Sequence, residues 1–384
     1  GPGATNMVTA AALAHANRLP VLLIPGDVFA NRAPDPVLQQ VEDFTDGTVS
    51  ANDCFRPVSR YFDRIARPEQ LLTALPRAIA TMTDPANCGP VTLAFCQDTQ
   101  AEAFDYPESF FEEKAWHQRR PQPDRAELDR AVAAIKAAKN PIIIAGGGVI
   151  YSGAETALAD FAHKHQIPVA ETQAGKSAMV WDDELNFGSV GVTGASSANA
   201  MAAKADLVIA IGTRLQDFTT GSWSIFQKSD HRILSINVGA YDAGKRSALS
   251  LVADAKVALG SLTAALGDHA AESPNKALRD DWLSAVNFVT DAPQGNEIPS
   301  DSQVIGAVQR ATKDDTVILG AAGSMPGELH KLWKTKQLNG YHMEYGFSCM
   351  GYEIAGGIGA KMAHPDREVV VMVGDGSYLM MNSE

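Results

Sequence analysis

The segment Glu368-Val-Val-Val-Met-Val-Gly-Asp-Gly-Ser377 indicates the fold class, because five consecutive apolar residues lead directly into a glycine-rich turn. A strand that is apolar at every position is buried on both faces, which is typical of parallel sheets covered by helices. Ligands of such sheets bind beyond the carboxyl ends of the strands, where Asp375 would lie. The stretch therefore predicts a parallel strand that presents one carboxylate at a binding edge.

Other apolar runs, each followed by Gly, Pro or Asp, repeat this pattern along the chain. They begin at Val21, Val91, Ile142, Leu207, Ile233 and Val317. Between two of them, Leu128, Val132 and Ile135 recur at helical spacing, as do Leu158 and Phe161 further on. Strands that alternate with such helices predict βαβ units, so we expect an α/β fold built from doubly wound parallel sheets.

Two stretches rich in Pro and polar residues interrupt this pattern, and we interpret residues 108–125 and 268–302 as linkers. They divide the chain into three consecutive Rossmann-like domains at residues 1–107, 126–267 and 303–384. Both termini fall inside structured patterns. We therefore expect the first and last domains to be incomplete and the chain to be a fragment of a longer protein.

Composition excludes several classes of function. The chain has 32 Lys and Arg against 45 Asp and Glu, a net charge of −13, and no basic cluster interleaved with aromatic residues. We therefore expect no nucleic-acid partner. It also lacks an apolar run of about 20 residues and a cleavable leader, which predicts a cytoplasmic protein without a membrane partner. The 4 cysteines are scattered, so neither a disulfide framework nor a zinc site is indicated.

The Gly374-Asp375-Gly376 turn suits a metal-bound phosphate. A carboxylate is a hard oxygen ligand of the kind that Mg²⁺ prefers together with phosphate oxygens and water. Flanking glycines let the backbone approach a phosphate closely. Such a turn is common, however, and an ordinary strand-ending turn is the alternative.

Three segments occur in a telling order: Gly1-Pro2-Gly3-Ala4-Thr5-Asn6, then Ala205 to Arg214, then Gly374 to Gly376. Together they resemble the pyrimidine-binding, central and diphosphate-binding domains of the thiamine-diphosphate-dependent enzymes of the acetolactate-synthase type. The resemblance implies thiamine diphosphate and Mg²⁺ as cofactors, Asp375 as a metal ligand, and a homodimer or homotetramer. It places the catalytic Glu upstream of Gly1, so we expect no catalytic residue within this chain and no activity from it alone.

A narrower resemblance, to hydrolases of inositol catabolism, rests on five segments. They are residues 25–29, 34–40, 171–177, 320–324 and 343–353. This resemblance implies hydrolytic ring opening of a cyclic 1,2-diketone, a small polyol, by the intact protein. Two alternatives stay open: a carboligase or decarboxylase of 2-oxo acids, and a noncatalytic nucleotide-binding protein.

The resemblance also implies a set of cofactor-binding residues: Ala322, Gly323, Ser324, Ser348, Met350, Gly374, Asp375, Gly376 and Ser377. Met350 is the candidate apolar wedge that bends the cofactor, with core filling as the alternative. Ser348 would offer its backbone carbonyl to the aminopyrimidine, and Ser324 could instead cap a helix. Glu353 is a candidate substrate contact, because a carboxylate among apolar residues needs a polar partner; a salt bridge is the alternative.

The run Gly146-Gly147-Gly148 suggests dinucleotide binding at first sight. A GxGxxG pattern that starts at Gly146 needs Gly or Ala at position 151, where this chain has Tyr151. We therefore predict a structural turn.

Overall fold

The computed structural model describes residues 1–32, 35–228, 230–292 and 298–383. Within these ranges the chain forms two compact units, Gly1–Arg119 and Arg120–Glu384, and every strand pairing is parallel. This confirms the α/β fold class. Some predicted segments include residues outside the described ranges: position 34 of segment 34–40, position 229 of domain 126–267, positions 293–297 of the second linker and position 384 of the last domain.

The first unit contains one parallel sheet of four strands: β1 (Leu22–Leu23), β2 (Gly26–Asp27), β3 (Tyr61–Ile65) and β4 (Val91–Cys96). Its helices are α1 (Pro2–Thr5), α2 (Val8–Asn17) and α3 (Leu71–Thr83), with 3₁₀ turns at Ala51–Val58, Pro68–Gln70, Thr99–Ala101 and Glu108–Phe110. The apolar strand β4 pairs with the other three. Helix α3 packs on this sheet through Ala74 and Ala78, whose small side chains are fully buried.

The second unit begins with a six-stranded sheet in the order β10-β9-β8-β5-β6-β7. Its strands are β5 (Pro141–Ala145), β6 (Val169–Glu171), β7 (Asn186–Ser189), β8 (Leu207–Ile211), β9 (Arg232–Asn237) and β10 (Leu249–Val252). Its helices are α4 (Arg125–Ala137), α5 (Gly147–Tyr151), α6 (Glu155–His165), α7 (Ser196–Lys204), α8 (Asp217–Thr220), α9 (Ala240–Ala243) and α10 (Ala255–Leu266), with a 3₁₀ turn at Lys245–Ser247. Strands β5 and β8 are buried at every position, as expected for strands covered on both faces.

Helix α11 (Ala277–Thr290) lies within the predicted second linker, residues 268–302. Trp282 and Val286, one helical turn apart, are both buried in the hydrophobic core of the second unit. The segment is therefore packed into the fold, and the regular spacing of its apolar residues explains why. The domain boundaries themselves stay a prediction.

The last sheet has three strands in the order β12-β11-β13: β11 (Val317–Gly320), β12 (Tyr341–Met343) and β13 (Val369–Val371). Helices α12 (Asp301–Ala311), α13 (Met325–Leu332), α14 (Tyr352–Ala363) and α15 (Asp375–Met380) accompany it. Because all three strands run in the same direction, the loops that follow them leave from the same edge. We call residues 321–324, 344–351 and 372–377 the three-loop edge.

Candidate functional site

The three-loop edge contains every predicted cofactor-binding residue. Ala322, Gly323 and Ser324 follow β11, Ser348 and Met350 follow β12, and Gly374 to Ser377 follow β13. The parallel register of the sheet thus places residues from three separate parts of the chain at one edge. Their binding of a cofactor stays a prediction.

Glu353 lies in the first turn of α14, with 0% of its surface exposed. One carboxylate oxygen, Oε1, accepts from the backbone N–H of Ala322 at 3.2 Å. The other, Oε2, accepts from the N–H of Gly351 at 3.0 Å and from the hydroxyl of Ser377 at 2.7 Å. One buried carboxylate therefore connects all three loops of the edge.

These bonds use groups that the sequence suggested for direct cofactor contact. The Ala322 N–H and the Ser377 hydroxyl both point to Glu353, and Ser377 Oγ also accepts from the N–H of Gly351 at 2.8 Å. Gly351 has φ +87°, a conformation that favours glycine. In this arrangement Ala322 and Ser377 stabilise the three-loop edge through hydrogen bonds inside the protein.

Glu344 orders the loop that follows β12. Its carboxylate is buried and accepts from the N–H groups of Phe347 at 2.9 Å and Cys349 at 2.8 Å. Between those two residues, Ser348 adopts φ +57°, which is uncommon for a residue with a side chain. Glu344 was not among the candidate residues predicted from the sequence. The feature that could have indicated its role is its position directly after the short strand β12.

Asp375 and Met350 face the open side of the edge. Asp375 is exposed, and its Oδ1 accepts from the N–H of Gly376 at 2.8 Å. Met350 is 44% exposed. A Cβ placed on Gly376 would lie 3.4 Å from the terminal methyl of Met350, whereas Gly323 and Gly374 have open space around them. The edge thus combines an accessible carboxylate, an apolar side chain and uncovered backbone.

This donor set fits a diphosphate with Mg²⁺. Among the described residues, no group of three or more His, Cys, Asp or Glu side chains is placed to hold a metal. Within the described residues, a metal at Asp375 would therefore take its further ligands from backbone carbonyls, or from water and phosphate oxygens, as Mg²⁺ commonly does.

The Gly146 to Gly148 run packs against the loop after β8. A Cβ on Gly146 would lie 2.5 Å from the carbonyl oxygen of Gly212, and one on Gly148 would lie 2.6 Å from Gly212 Cα. Close approach of two backbones accounts for these glycines without a nucleotide.

Across the described ranges, no helix is both long enough and apolar enough to cross a membrane.

Sequence comparisons match two domain families. The thiamine pyrophosphate enzyme central domain matches residues 128–262, and the C-terminal TPP binding domain of thiamine pyrophosphate enzymes matches residues 321–384. The second range includes the whole three-loop edge.

Relatives with assigned names align with the entire chain. A 3D-(3,5/4)-trihydroxycyclohexane-1,2-dione hydrolase of Geobacillus thermodenitrificans is 48% identical over 409 residues, and the proteins of the same name from Clostridium tetani and Bacillus cereus are 45% and 46% identical. Each alignment covers 100% of this chain and 64% of the relative. The chain thus spans less than two thirds of the length of these relatives.

Proposed function

Because the chain belongs to the thiamine pyrophosphate enzyme family, we propose that the full-length protein opens the ring of 3D-(3,5/4)-trihydroxycyclohexane-1,2-dione by hydrolysis. This is the substrate in the names of its relatives. The reaction consumes one water, breaks the bond between the two carbonyl carbons and yields 5-deoxyglucuronic acid. The proposal also includes Mg²⁺, a homodimer or homotetramer, and a cytoplasmic location.

The observation that carries the proposal is the three-loop edge, where an accessible Asp375 carboxylate lies among glycine-rich turns. Thiamine diphosphate, when bound, supplies the electron sink that cleavage next to a carbonyl group requires. Asp375 would hold Mg²⁺ against the diphosphate oxygens. Gly323 and Ser324 would donate to the same oxygens from the loop after β11.

The loop after β12 would hold the organic part of the cofactor. The half-exposed Met350 offers an apolar surface beside Gly376, and Ser348 would accept a hydrogen bond through its carbonyl. Glu344 keeps this loop in place through its two backbone hydrogen bonds. These residues would bind and orient the cofactor rather than transfer protons.

The test is an assay of the full-length protein with the cyclic diketone, with and without thiamine diphosphate and Mg²⁺. We expect the carboxylic acid product only when both are present. Release of CO₂ from pyruvate without ring opening would instead show a decarboxylase of 2-oxo acids. Retention of FAD or NAD in place of thiamine diphosphate would contradict the proposed chemistry altogether.

A further inference from the structure

Glu353 is buried completely, and its carboxylate is hydrogen-bonded to all three loops of the edge. It accepts from Ala322 in the loop after β11, from Gly351 in the loop after β12 and from Ser377 beyond β13. Charge-assisted hydrogen bonds of this kind are stronger than neutral ones. A buried carboxylate that lost them would pay a large desolvation penalty, so carboxylate and loops hold each other in place.

The neighbours of these three donors are the predicted cofactor ligands. Ala322 precedes Gly323 and Ser324, Gly351 follows Met350, and Ser377 lies two residues after Asp375. A shift of any one donor therefore moves a diphosphate, wedge or metal ligand relative to the other two. Glu353 is thus hydrogen-bonded beside each of the three positions.

We propose that Glu353 is a positioning residue that sets the geometry of the cofactor loops, and that it does not contact the substrate. This inference rests on the proposed function, since it assigns thiamine diphosphate to the three-loop edge. Its complete burial leaves the carboxylate no open face toward a ligand. Its three donors occupy both of its oxygens.

Glu353→Gln is the most informative variant, because an amide has only one acceptor oxygen. With its NH₂ group at the Oε1 position, it faces the N–H of Ala322; with its NH₂ group at the Oε2 position, it faces the N–H of Gly351. The first orientation removes the acceptor of the Ala322 N–H, and the second leaves the Gly351 N–H with only the Ser377 hydroxyl as acceptor, at 2.8 Å. Glu328→Gln is the matched control, since Glu328 lies on α13 and pairs with Lys331 at 2.7 Å.

Two measurements on the full-length protein test the proposal. Hydrogen-exchange mass spectrometry without cofactor should show faster amide exchange at Ala322 or Gly351 in Glu353→Gln. The control Glu328→Gln should exchange at the wild-type rate at both residues. Calorimetric titration with thiamine diphosphate and Mg²⁺, without substrate, should show affinity weakened by about tenfold or more. An equal urea midpoint would show that the loss is local.

Three outcomes decide the matter. Unchanged exchange and cofactor affinity, with a raised KM for the diketone, would overturn the proposal and favour a substrate contact. If the wild-type protein binds no thiamine diphosphate, the proposed function fails, while the exchange experiment still judges the role of Glu353. If Glu353→Gln does not fold, Ser377→Ala takes its place. This variant should speed amide exchange at Gly351 and weaken cofactor binding by less than about tenfold. Wild-type exchange and wild-type cofactor affinity in Ser377→Ala would also overturn the proposal.

Discussion

Protonation of His330 should destabilise the second unit in acid. His330 lies on α13, is 1% exposed, and its Nδ1 is 3.0 Å from the hydroxyl of Thr193. Burial, reinforced by the nearby Lys176 charge, lowers the pKa of His330 to about 3. In the unfolded chain the imidazole returns to an ordinary pKa near 6.5.

The sign follows from proton counting. Between these two pKa values the unfolded chain binds a proton that the folded protein does not, so the free energy of unfolding falls as the pH falls. One proton gives a slope of at most about 1.4 kcal/mol per pH unit. Between pH 6 and pH 4 the loss attributable to His330 amounts to about 2 to 3 kcal/mol.

His330→Gln removes the titrating group and keeps a polar side chain. We expect the free energy of unfolding of the wild type, minus that of the variant, to fall by about 2 to 3 kcal/mol from pH 6 to pH 4. Urea titrations followed by tryptophan fluorescence measure it. Four of the tryptophans lie in the second unit: Trp181, Trp223, Trp282 and Trp333.

His364→Gln is the control, because this histidine is exposed and lies in the same unit. Because wild type and variant are compared at each pH, the contributions of the other titrating groups to the free energy of unfolding cancel. These groups include the buried Glu171, whose pKa is raised to about 7 by burial. A difference between wild type and His330→Gln that is the same at pH 6 and pH 4 would show that His330 does not take up a proton on unfolding in this range.

Other substitutions test separate parts of the fold. Phe161→Ala removes a fully buried ring and should lower the free energy of unfolding by about 3 to 5 kcal/mol, seen as a lower urea midpoint; a loss below about 1 kcal/mol would contradict the core packing. Gly351→Ala introduces a Cβ 2.2 Å from Met381 Cγ at φ +87° and should cost about 1 to 3 kcal/mol, whereas an unchanged midpoint would argue against this loop geometry. Glu344→Gln removes one of two acceptor oxygens, so amide exchange should accelerate at Phe347 or at Cys349; wild-type protection at both residues would show that the carboxylate does not hold the loop.

The long apolar runs predicted the sheets well because a strand covered on both faces must be apolar throughout. Strands that the runs did not indicate are short or polar. Strand β7 has the sequence Asn186-Phe-Gly-Ser189, and β3 carries Asp63 and Arg64 at its centre. In the Val21 to Asp27 run, Pro25 separates two strands of 2 residues each, since proline donates no hydrogen bond to a sheet.

The residues of the candidate site could be predicted from the sequence, but their mutual contacts could not. Glu353 was recognised as a carboxylate in need of a partner, as the apolar residues around it indicate. Its partners, Ala322 and Ser377, are 31 and 24 residues away in the chain. Such pairing arises from the parallel order of three strands, which local patterns do not encode.

We expect the three-loop edge to bind thiamine diphosphate through a metal at Asp375. Calorimetric titration of the full-length protein with thiamine diphosphate should show binding that requires Mg²⁺. Asp375→Ala should weaken that binding by more than about tenfold, while the urea midpoint stays that of the wild type because Asp375 is exposed. Equally tight, Mg²⁺-dependent binding by Asp375→Ala would show that Asp375 does not hold the metal.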